Sequence, residues 1–279
     1  MAQADEDGYI WYPGLTGFPC TLGHELSGVV VEAGPDAYDK NTTKPFAGGE
    51  QVCAEEMLWC GSCKPCADGW PNHCERLDEI GFNVDGAFLK YIVLPDRCLW
   101  SLEPLKAQYS EKDIFKLGSL AEPTSVAYNA VVERGGGIRS GDNVMICGGG
   151  PIGLVACAVL KHMGAAKVIL SEPEIDRAEL GYKLGADMVI NPLKEDFATK
   201  VLEITRGMDA SFYLEASGLP TTVYLDIERT IWEGRTLNAT IVVVARAEAK
   251  MPVTGEVLQV RRARIMTPRD TPDMTPFRG

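Results

Sequence analysis

The sequence lacks the long apolar runs and the amino-terminal leader that mark membrane and secreted proteins. No uninterrupted apolar run approaches the roughly 18 residues that a membrane-spanning helix needs. The first residues, MAQADEDGYIW, are acidic and do not resemble the cationic start of a secretory signal. We therefore expect a cytoplasmic protein with no membrane partner.

Positive charge is also scarce. The chain has 27 Lys and Arg against 39 Asp and Glu, which gives a net charge of −12. Such a surface repels a phosphate backbone, so the composition disfavours nucleic-acid binding. With 279 residues, of which 46% are hydrophobic and 24% charged, the chain can bury the cores of two folded domains.

The first 125 residues are predicted to be rich in β-structure. Strands are expected at Leu26–Ala33, Gln51–Ala54 and Ala87–Leu94, where apolar and β-branched residues are bounded by Gly, Pro and Asp. Ahead of the change of pattern that begins near Asn143, a helix is expected to start at Pro123, close to Ser125. We place the end of a first domain, residues 1–125, at this point.

A second domain, residues 126–265, alternates strands with helices and therefore predicts an α/β fold with a parallel sheet. The expected strands are Asn143–Cys147, Lys167–Leu170, Met188–Ile190, Ala210–Leu214 and Thr240–Val244, and the expected helices are Pro151–Met163 and Ile175–Leu184. Three Thr-Pro pairs at residues 267–276 predict a disordered tail over residues 266–279.

Four of the nine cysteines lie within fifteen residues. Cys60, Cys63, Cys66 and Cys74 have the spacing C-x2-C-x2-C-x7-C. Closely spaced thiolates suit a tetrahedral zinc ion, and four protein ligands leave no position open, as in a structural site. An iron–sulfur cluster or unliganded buried thiols are the alternatives, although the last spacing departs from the ferredoxin pattern.

A glycine-rich turn joins an apolar run to a predicted helix. Gly148, Gly150 and Gly153 fit G-x-G-x-x-G within GGGPIG, directly after NVMIC and at the start of PIGLVACAVLKHM. In that context the glycines permit a tight turn and close approach of the backbone to a pyrophosphate, which the helix N-terminus attracts. The motif therefore predicts a doubly wound Rossmann domain that binds a dinucleotide.

An acidic residue follows at the distance that this motif requires. Glu172 lies nineteen residues after Gly153, at the end of KVILSE, where a carboxylate can bind the ribose hydroxyls and repel a 2′-phosphate. This predicts NAD rather than NADP. Arg177 lies five residues further on and could instead pair with a phosphate, and Glu172 could alternatively be an ordinary exposed carboxylate.

A second, incomplete set of metal ligands is spread over the first domain. His24 and Glu25 precede a predicted strand, and Glu122 precedes a predicted helix. A catalytic zinc needs about three protein ligands and one open position. Cys20 could add a sulfur ligand, or it could be a small packed residue. His24 could alternatively be a core histidine whose hydrogen bonds are satisfied.

The order of these motifs resembles the zinc-containing medium-chain alcohol dehydrogenases, and above all their bacterial polyol and cyclitol branch. GHE, the four-cysteine segment, EP before a helix and GGGPIG followed by Glu172 carry the resemblance, which runs from about Ala2 to Ile265. It implies a β-rich GroES-like catalytic domain, incomplete here, beside the Rossmann domain. It also implies an internal piece of a longer enzyme, because the family's first catalytic-zinc cysteine precedes the matching region.

The resemblance implies a role for each matching residue. Cys60, Cys63, Cys66 and Cys74 match the structural-zinc lobe, and His24, Glu25 and Glu122 match catalytic-zinc ligands. The matches to cofactor contacts are Gly148, Gly150, Ile152, Gly153, Glu172 and Arg177.

The implied activity is the zinc- and NAD-dependent oxidation of a secondary alcohol of a polyol or cyclitol to a ketone, in a dimer or tetramer. The alternative is an inactive fragment or pseudoenzyme that binds structural zinc, with or without NAD, and has no turnover.

Overall fold

The computed structural model describes residues 19–245 and 251–268, together with the backbone of two short strands near the amino terminus. The chain divides into two compact units, one containing the residues up to Ser125 and one spanning Val126–Arg269. Each unit buries its own hydrophobic clusters. Within the described residues no helix is long and apolar enough to span a membrane.

The first unit is built from short strands. They are β1 (Gln3–Ala4), β2 (Ile10–Trp11), β3 (Ser27–Val29), β4 (Gln51–Ala54), β5 (Met57–Leu58), β6 (Asp78–Glu79) and β7 (Leu99–Ser101). Its α-helices include α1 (Lys64–Ala67) and α2 (Glu111–Ser119). A third helix, α3 (Ala121–Tyr128), begins in this unit and continues past Ser125 into a π-helical turn, Asn129–Arg134, which belongs to the second unit.

An antiparallel sheet in the order β3-β4-β7 forms the centre of this unit. β4 is buried along its whole length, and Cys53 pairs with Ser27 on one side and with Trp100 on the other. Cys53 and Trp100 pack with Leu102 and with Ile114 of α2. Burial raises the pKa of the Cys53 thiol to about 11, so this cysteine acts as a small apolar core residue.

Two strand predictions in this unit need correction. The strand expected at Leu26–Ala33 is shorter, because its partner β4 begins at Gln51, after the positive-φ pair Gly48 and Gly49. The strand expected at Ala87–Leu94 is wrong: among the described residues its backbone pairing stops at Phe88. A run of apolar residues indicated a strand here, but Val93 is 97% exposed.

The second unit contains a six-stranded sheet. Its strands are β8 (Asn143–Cys147), β9 (Lys167–Ser171), β10 (Met188–Ile190), β11 (Phe212–Glu215), β12 (Thr240–Val243) and β13 (Arg264–Met266). Its helices are α4 (Pro151–His162), α5 (Ile175–Lys183), α6 (Phe197–Ile204), α7 (Pro220–Glu233) and α8 (Gly255–Val260).

All neighbouring strands are parallel, in the order β10-β9-β8-β11-β12-β13. The predicted parallel α/β fold is confirmed. The strand expected at Ala210–Leu214 begins two residues later. Met266, assigned to the tail, ends β13 instead, and the tail from Arg269 onward lies outside the described residues.

Both faces of this sheet are covered, as its continuous apolar strands predict. Alternate residues of β8 enter two different clusters: Ile146 packs with Leu160 of α4, whereas Met145 packs with Ile227 of α7. This double burial fixes the register of β8, because a one-residue slip would exchange its two faces. The carboxyl end of β8, where the glycine turn begins, is held in place as a result.

Candidate functional site

The four predicted zinc ligands of the first unit lie together. The sulfurs of Cys60, Cys63, Cys66 and Cys74 lie within 4.8 Å of one another, and none forms a disulfide. Cys63 Sγ is 3.4 Å from Cys66 Sγ and 3.8 Å from Cys74 Sγ. A tetrahedral zinc with Zn–S bonds of about 2.3 Å requires sulfurs separated by about 3.8 Å, so the donor set fits a structural zinc ion.

Backbone amides stabilise the thiolate form of this cluster. The N–H groups of Ser62 and Cys63 donate to Cys60 Sγ, each at 3.4 Å, and the N–H of Arg76 donates to Cys74 Sγ at 3.3 Å. The Ser62 and Cys63 amides lower the pKa of the Cys60 thiol to about 5. Desolvation raises the pKa of Cys66 to about 12. The amides therefore favour the thiolate form of Cys60, whereas a metal ion would have to displace the proton of Cys66.

The predicted catalytic ligands of the same unit also lie together. His24, Glu25 and Glu122 each offer one donor atom, and these three atoms lie within 4.8 Å of one another. Glu122 is buried in the first turn of α3, which begins at Ala121 rather than at the predicted Pro123. One nitrogen and two carboxylate oxygens are donors that a catalytic zinc accepts, so this set also fits a metal ion.

Backbone contacts with glycines position His24. The N–H of Gly86 donates to the carbonyl of Thr21 at 2.7 Å, and the N–H of Ala87 donates to that of Gly23 at 2.8 Å. A Cβ at Gly86 would lie 2.3 Å from the Gly23 oxygen, and one at Gly81 would lie 2.7 Å from it. Only glycine permits these approaches, and they fix the backbone immediately before His24.

Cys20 is not part of this metal-capable group. Its Sγ donates to the Val84 and Thr21 carbonyls, each at 3.4 Å, which agrees with the packed-residue alternative.

A further acidic residue lies beside His24 and was missed by the sequence analysis. Glu56 Oε2 is 3.7 Å from His24 Nε2, and the Glu56 side chain is 6% exposed. The His24 ring also contacts Phe82, with ring centroids 4.9 Å apart. The only sequence signal for Glu56 is a pair of adjacent glutamates after a buried strand, and that pattern by itself indicates no site.

The glycine turn of the second unit has the predicted geometry. Gly148 has φ +102°, and a Cβ there would lie 2.7 Å from the Ala216 oxygen. A Cβ at Gly153 would lie only 1.9 Å from the Gly148 oxygen, so helix and turn touch directly. Gly150, the N-cap of α4, has no atom within 4 Å of its Cβ position. Open space at a helix N-terminus, before the Pro151 position, suits a pyrophosphate.

Glu172 lies against this turn and is 4% exposed, which rules out the exposed-carboxylate alternative. Its Oε2 accepts a 2.6 Å hydrogen bond from the Gly149 N–H, and its Oε1 accepts one of 2.9 Å from the Glu174 N–H. Each carboxylate oxygen can accept further hydrogen bonds, so ribose hydroxyls can still be bound. Ile152 is half-buried against the core, and Arg177 is exposed in α5.

Glu215 is a second buried acid that the sequence analysis missed. It ends β11, where it pairs with Cys147 of β8 immediately before the glycine turn. Its Oε1 accepts hydrogen bonds from Ser217 N–H at 2.8 Å, Ser217 Oγ at 2.5 Å and Gly218 N–H at 3.1 Å. Its buried Oε2 has no partner among the described residues. Glu215 thus holds the 216–218 turn that closes on Gly148.

The four-cysteine zinc site in the first unit and the glycine turn suited to a pyrophosphate in the second define the class of zinc-type, nucleotide-dependent dehydrogenases. Comparison with known families agrees. The family described as "Alcohol dehydrogenase GroES-like domain" matches residues 3–104, and the family described as "Zinc-binding dehydrogenase" matches residues 151–266. The predicted GroES-like and Rossmann-type architecture is confirmed.

Known relatives narrow this class. The chain is 62% identical over 266 residues to scyllo-inosose 3-dehydrogenase of Thermotoga maritima, a match that covers 95% of this chain and 67% of that protein. A solved Thermotoga maritima structure, provisionally assigned as an alcohol dehydrogenase, is 60% identical with a TM-score of 0.93, over 99% of this chain and 70% of that one. The chain thus spans about two thirds of the length of these two proteins.

A more distant relative was solved with a bound nucleotide. It is a provisionally assigned zinc-binding dehydrogenase from Sinorhizobium meliloti, bound to NADP. It is 25% identical with a TM-score of 0.79, over 92% of this chain and 71% of that one. Taken together, these matches show that the chain belongs to the zinc-containing medium-chain alcohol dehydrogenase family.

Proposed function

We propose that this chain oxidises a secondary alcohol to a ketone, with NAD as the hydride acceptor and a catalytic zinc held by His24, Glu25 and Glu122. The observation that carries the proposal is the convergence of these three donors within 4.8 Å, in addition to the separate four-thiol site. A structural zinc alone would not require a second group of ligands.

The proposed substrate is a polyol or cyclitol. The support is the 62% identity to scyllo-inosose 3-dehydrogenase over nearly the whole chain.

The chain's own residues have distinct tasks in this proposal. A bound zinc supplies a Lewis acid that lowers the pKa of a coordinated alcohol, and NAD supplies the hydride acceptor. His24, Glu25 and Glu122 set the geometry and charge of the metal environment. Gly150 leaves room for the pyrophosphate, and Glu172 accepts hydrogen bonds from the ribose hydroxyls.

We propose NAD rather than NADP because Glu172 is fixed next to the turn by two backbone amides. A carboxylate held there would repel a 2′-phosphate. Arg177 is the residue that could reduce this preference, since its guanidinium could pair with that phosphate. The assembly as a dimer or tetramer and the cytoplasmic location remain predictions.

The test measures metal content and NADH formation on the same purified chain. We expect two zinc ions per chain and NADH formation with at least one of myo-inositol, scyllo-inosose and sorbitol. The control is His24→Asn, which should keep one zinc and lose turnover. One zinc per wild-type chain with no turnover would overturn the proposal in favour of a non-catalytic, zinc-stabilised protein, an alternative that the comparisons do not favour.

A further inference from the structure

A cavity of about 1090 Å³ opens at the amino ends of four strands of the parallel sheet. Its lining includes the residues that begin β8, β11, β12 and β13, which are Asn143, Phe212, Thr240 and Arg264. All of its lining residues belong to the second unit. Small-molecule sites have volumes of about 300–1,000 Å³, so this cavity has room for a complete ligand.

The cavity is separate from the glycine turn. β8 has five residues; it begins at the cavity with Asn143 and ends with Cys147, immediately before Gly148. At about 3.3 Å per residue, the two sites lie about 13 Å apart along the strand. Dinucleotides bind open α/β sheets at the carboxyl ends of the strands. The cofactor therefore does not account for a cavity at the opposite ends.

Positive charge is concentrated in this lining. It contains four arginines, which are Arg139, Arg235, Arg262 and Arg264. Among the residues that the structure describes, none of the four forms a salt bridge with a carboxylate. Arg229 of the same unit, in contrast, pairs with Asp196 and Glu233. The arginines of the cavity are thus available to a ligand of opposite charge.

Arg264 is oriented by uncharged groups. Its Nε donates to Thr240 Oγ1 at 2.9 Å, and its Nη2 donates to the carbonyl of Gly135 at 3.2 Å. A guanidinium has five N–H donors, so three of them remain for other acceptors. The side chain is held in place while its charge stays uncompensated by these two partners.

Two aspartates also line the cavity, but both are engaged elsewhere. Asp142 Oδ2 accepts a 2.8 Å hydrogen bond from the backbone N–H of Arg139. Asp209 is 1% exposed, and its carboxylate lies against the backbone of Gly234, where an added Cβ would overlap Oδ2. Four arginines against two aspartates give the lining a formal charge of +2, in a chain whose net charge is −12.

We propose that this cavity binds a small molecule that carries a phosphate group, at a second site distinct from the glycine turn. Guanidinium groups pair with phosphate oxygens through parallel N–H···O bonds. A phosphate has enough oxygens to engage several arginines at once, whereas one arginine can satisfy both oxygens of a carboxylate. The volume leaves room for an organic part beyond the phosphate. This inference does not depend on the proposed oxidation of an alcohol.

The test is calorimetric titration of the full chain with inorganic phosphate and with glucose 6-phosphate, at fixed ionic strength. We expect saturable binding, which Arg262→Gln and Arg235→Gln should each weaken about 10-fold by removing a charge-assisted contact. Arg206→Gln is the matched control. Arg206 is also an exposed arginine of the second unit with positive φ, +57° against +56° for Arg262, but it lies outside the cavity lining.

The two probes distinguish the source of the phosphate. Equal affinities would identify the free ion as sufficient, and tighter binding of glucose 6-phosphate would show that the organic part is also held; both results support the site. Full affinity in Arg262→Gln and Arg235→Gln would place the phosphate elsewhere, such as at the glycine turn. An equal loss in Arg206→Gln would reduce the effect to net charge.

Either of these last two results overturns the inference, as does the absence of binding of both probes to the wild-type chain. Thermal unfolding of the variants identifies a loss caused by misfolding. If Arg262→Gln is unstable because of its backbone conformation, Arg206→Gln should be destabilised to the same extent, and Arg235→Gln then decides the outcome.

Discussion

The N–H of Gly149 donates a 2.6 Å hydrogen bond to Oε2 of Glu172. This bond ties the glycine turn to the carboxylate that is proposed to bind the ribose. A Cβ on Gly149 would approach this carboxylate to 2.8 Å. The acid is therefore held in place before any cofactor arrives, and such preorganisation lowers the cost of ordering the site on binding.

The first prediction concerns this acid. Glu172→Gln should weaken NADH binding about 10-fold, because hydrogen bonds to a charged group contribute about 1.5–3 kcal/mol. NADPH binding should change little or improve, because a negative charge has been removed. Titration of nicotinamide fluorescence measures both affinities. Glu174→Gln, an exposed neighbour on the same loop, is the control, and an equal loss there would show that the effect is not specific to Glu172.

The second prediction separates two glycines of the same turn. Gly150→Ala should cost at most about 1 kcal/mol of unfolding free energy, since its Cβ position is open and its φ is −72°, which leaves only the penalty of alanine at an N-cap. The same change should still reduce NADH affinity by filling the space proposed for the pyrophosphate. Gly153→Ala should cost about 1–3 kcal/mol of stability, because its Cβ would strike the Gly148 oxygen.

Thermal denaturation and NADH titration on both glycine variants check this pair. Undiminished NADH binding by Gly150→Ala would show that the pyrophosphate does not lie at this turn.

The third prediction concerns the thiol lobe. Cys74→Ser should lose one zinc per chain and lower the melting temperature, because binding of a structural zinc contributes to folding. Cys98→Ser is the matched control: Cys98 is also a buried free thiol, but it lies outside the four-sulfur group. Elemental analysis should show unchanged zinc in Cys98→Ser, and an unchanged zinc content in Cys74→Ser would contradict the assignment.

The fourth prediction is a pH dependence of stability. Asp209 is buried, and desolvation raises its pKa to about 7 against the opposing influence of Thr236 and Arg261. The unfolded chain ionises this group near pH 3.8, so the folded state binds the extra proton between about pH 4 and pH 7. The contribution of this extra proton to the free energy of unfolding is therefore complete below about pH 4 and is lost as the pH rises through 7.

Asp209→Asn removes that titration. We expect the variant to unfold at a higher temperature than the wild-type chain at pH 8, and the difference to shrink at pH 5. Melting curves across this range provide the measurement. Parallel curves for the two proteins would mean that Asp209 ionises at its ordinary pKa.

The sequence predicted the second unit well because its signals are local. The bounds of β8, the start of α4 and the glycine turn all follow from periodicity and from residues that tolerate unusual backbone angles. The position of Glu172 was predicted in the same way. The four-cysteine site could also be predicted from the sequence, because two residues separate Cys60 from Cys63 and two separate Cys63 from Cys66.

The features that were missed depend on contacts between distant parts of the chain. Glu56 is the second of two adjacent glutamates between β4 and β5, and Glu215 ends β11. Only the folded chain shows that Glu56 lies near His24 and that Glu215 secures the turn beside Gly148. The strand expected at Ala87–Leu94 failed for a related reason. A run of apolar residues does not show whether a neighbouring strand is available to pair with it.

The contacts among Gly23, Gly81 and Gly86 have a consequence for mutational studies. None of these residues offers an atom to an ion, yet adding a single methyl group at 81 or 86 would push against the peptide that precedes His24. A saturation screen scored by metal retention should therefore identify these glycines as strongly as true ligands. The sensitive positions in such a screen would include the glycines that support the backbone before His24 as well as the residues that bind the metal.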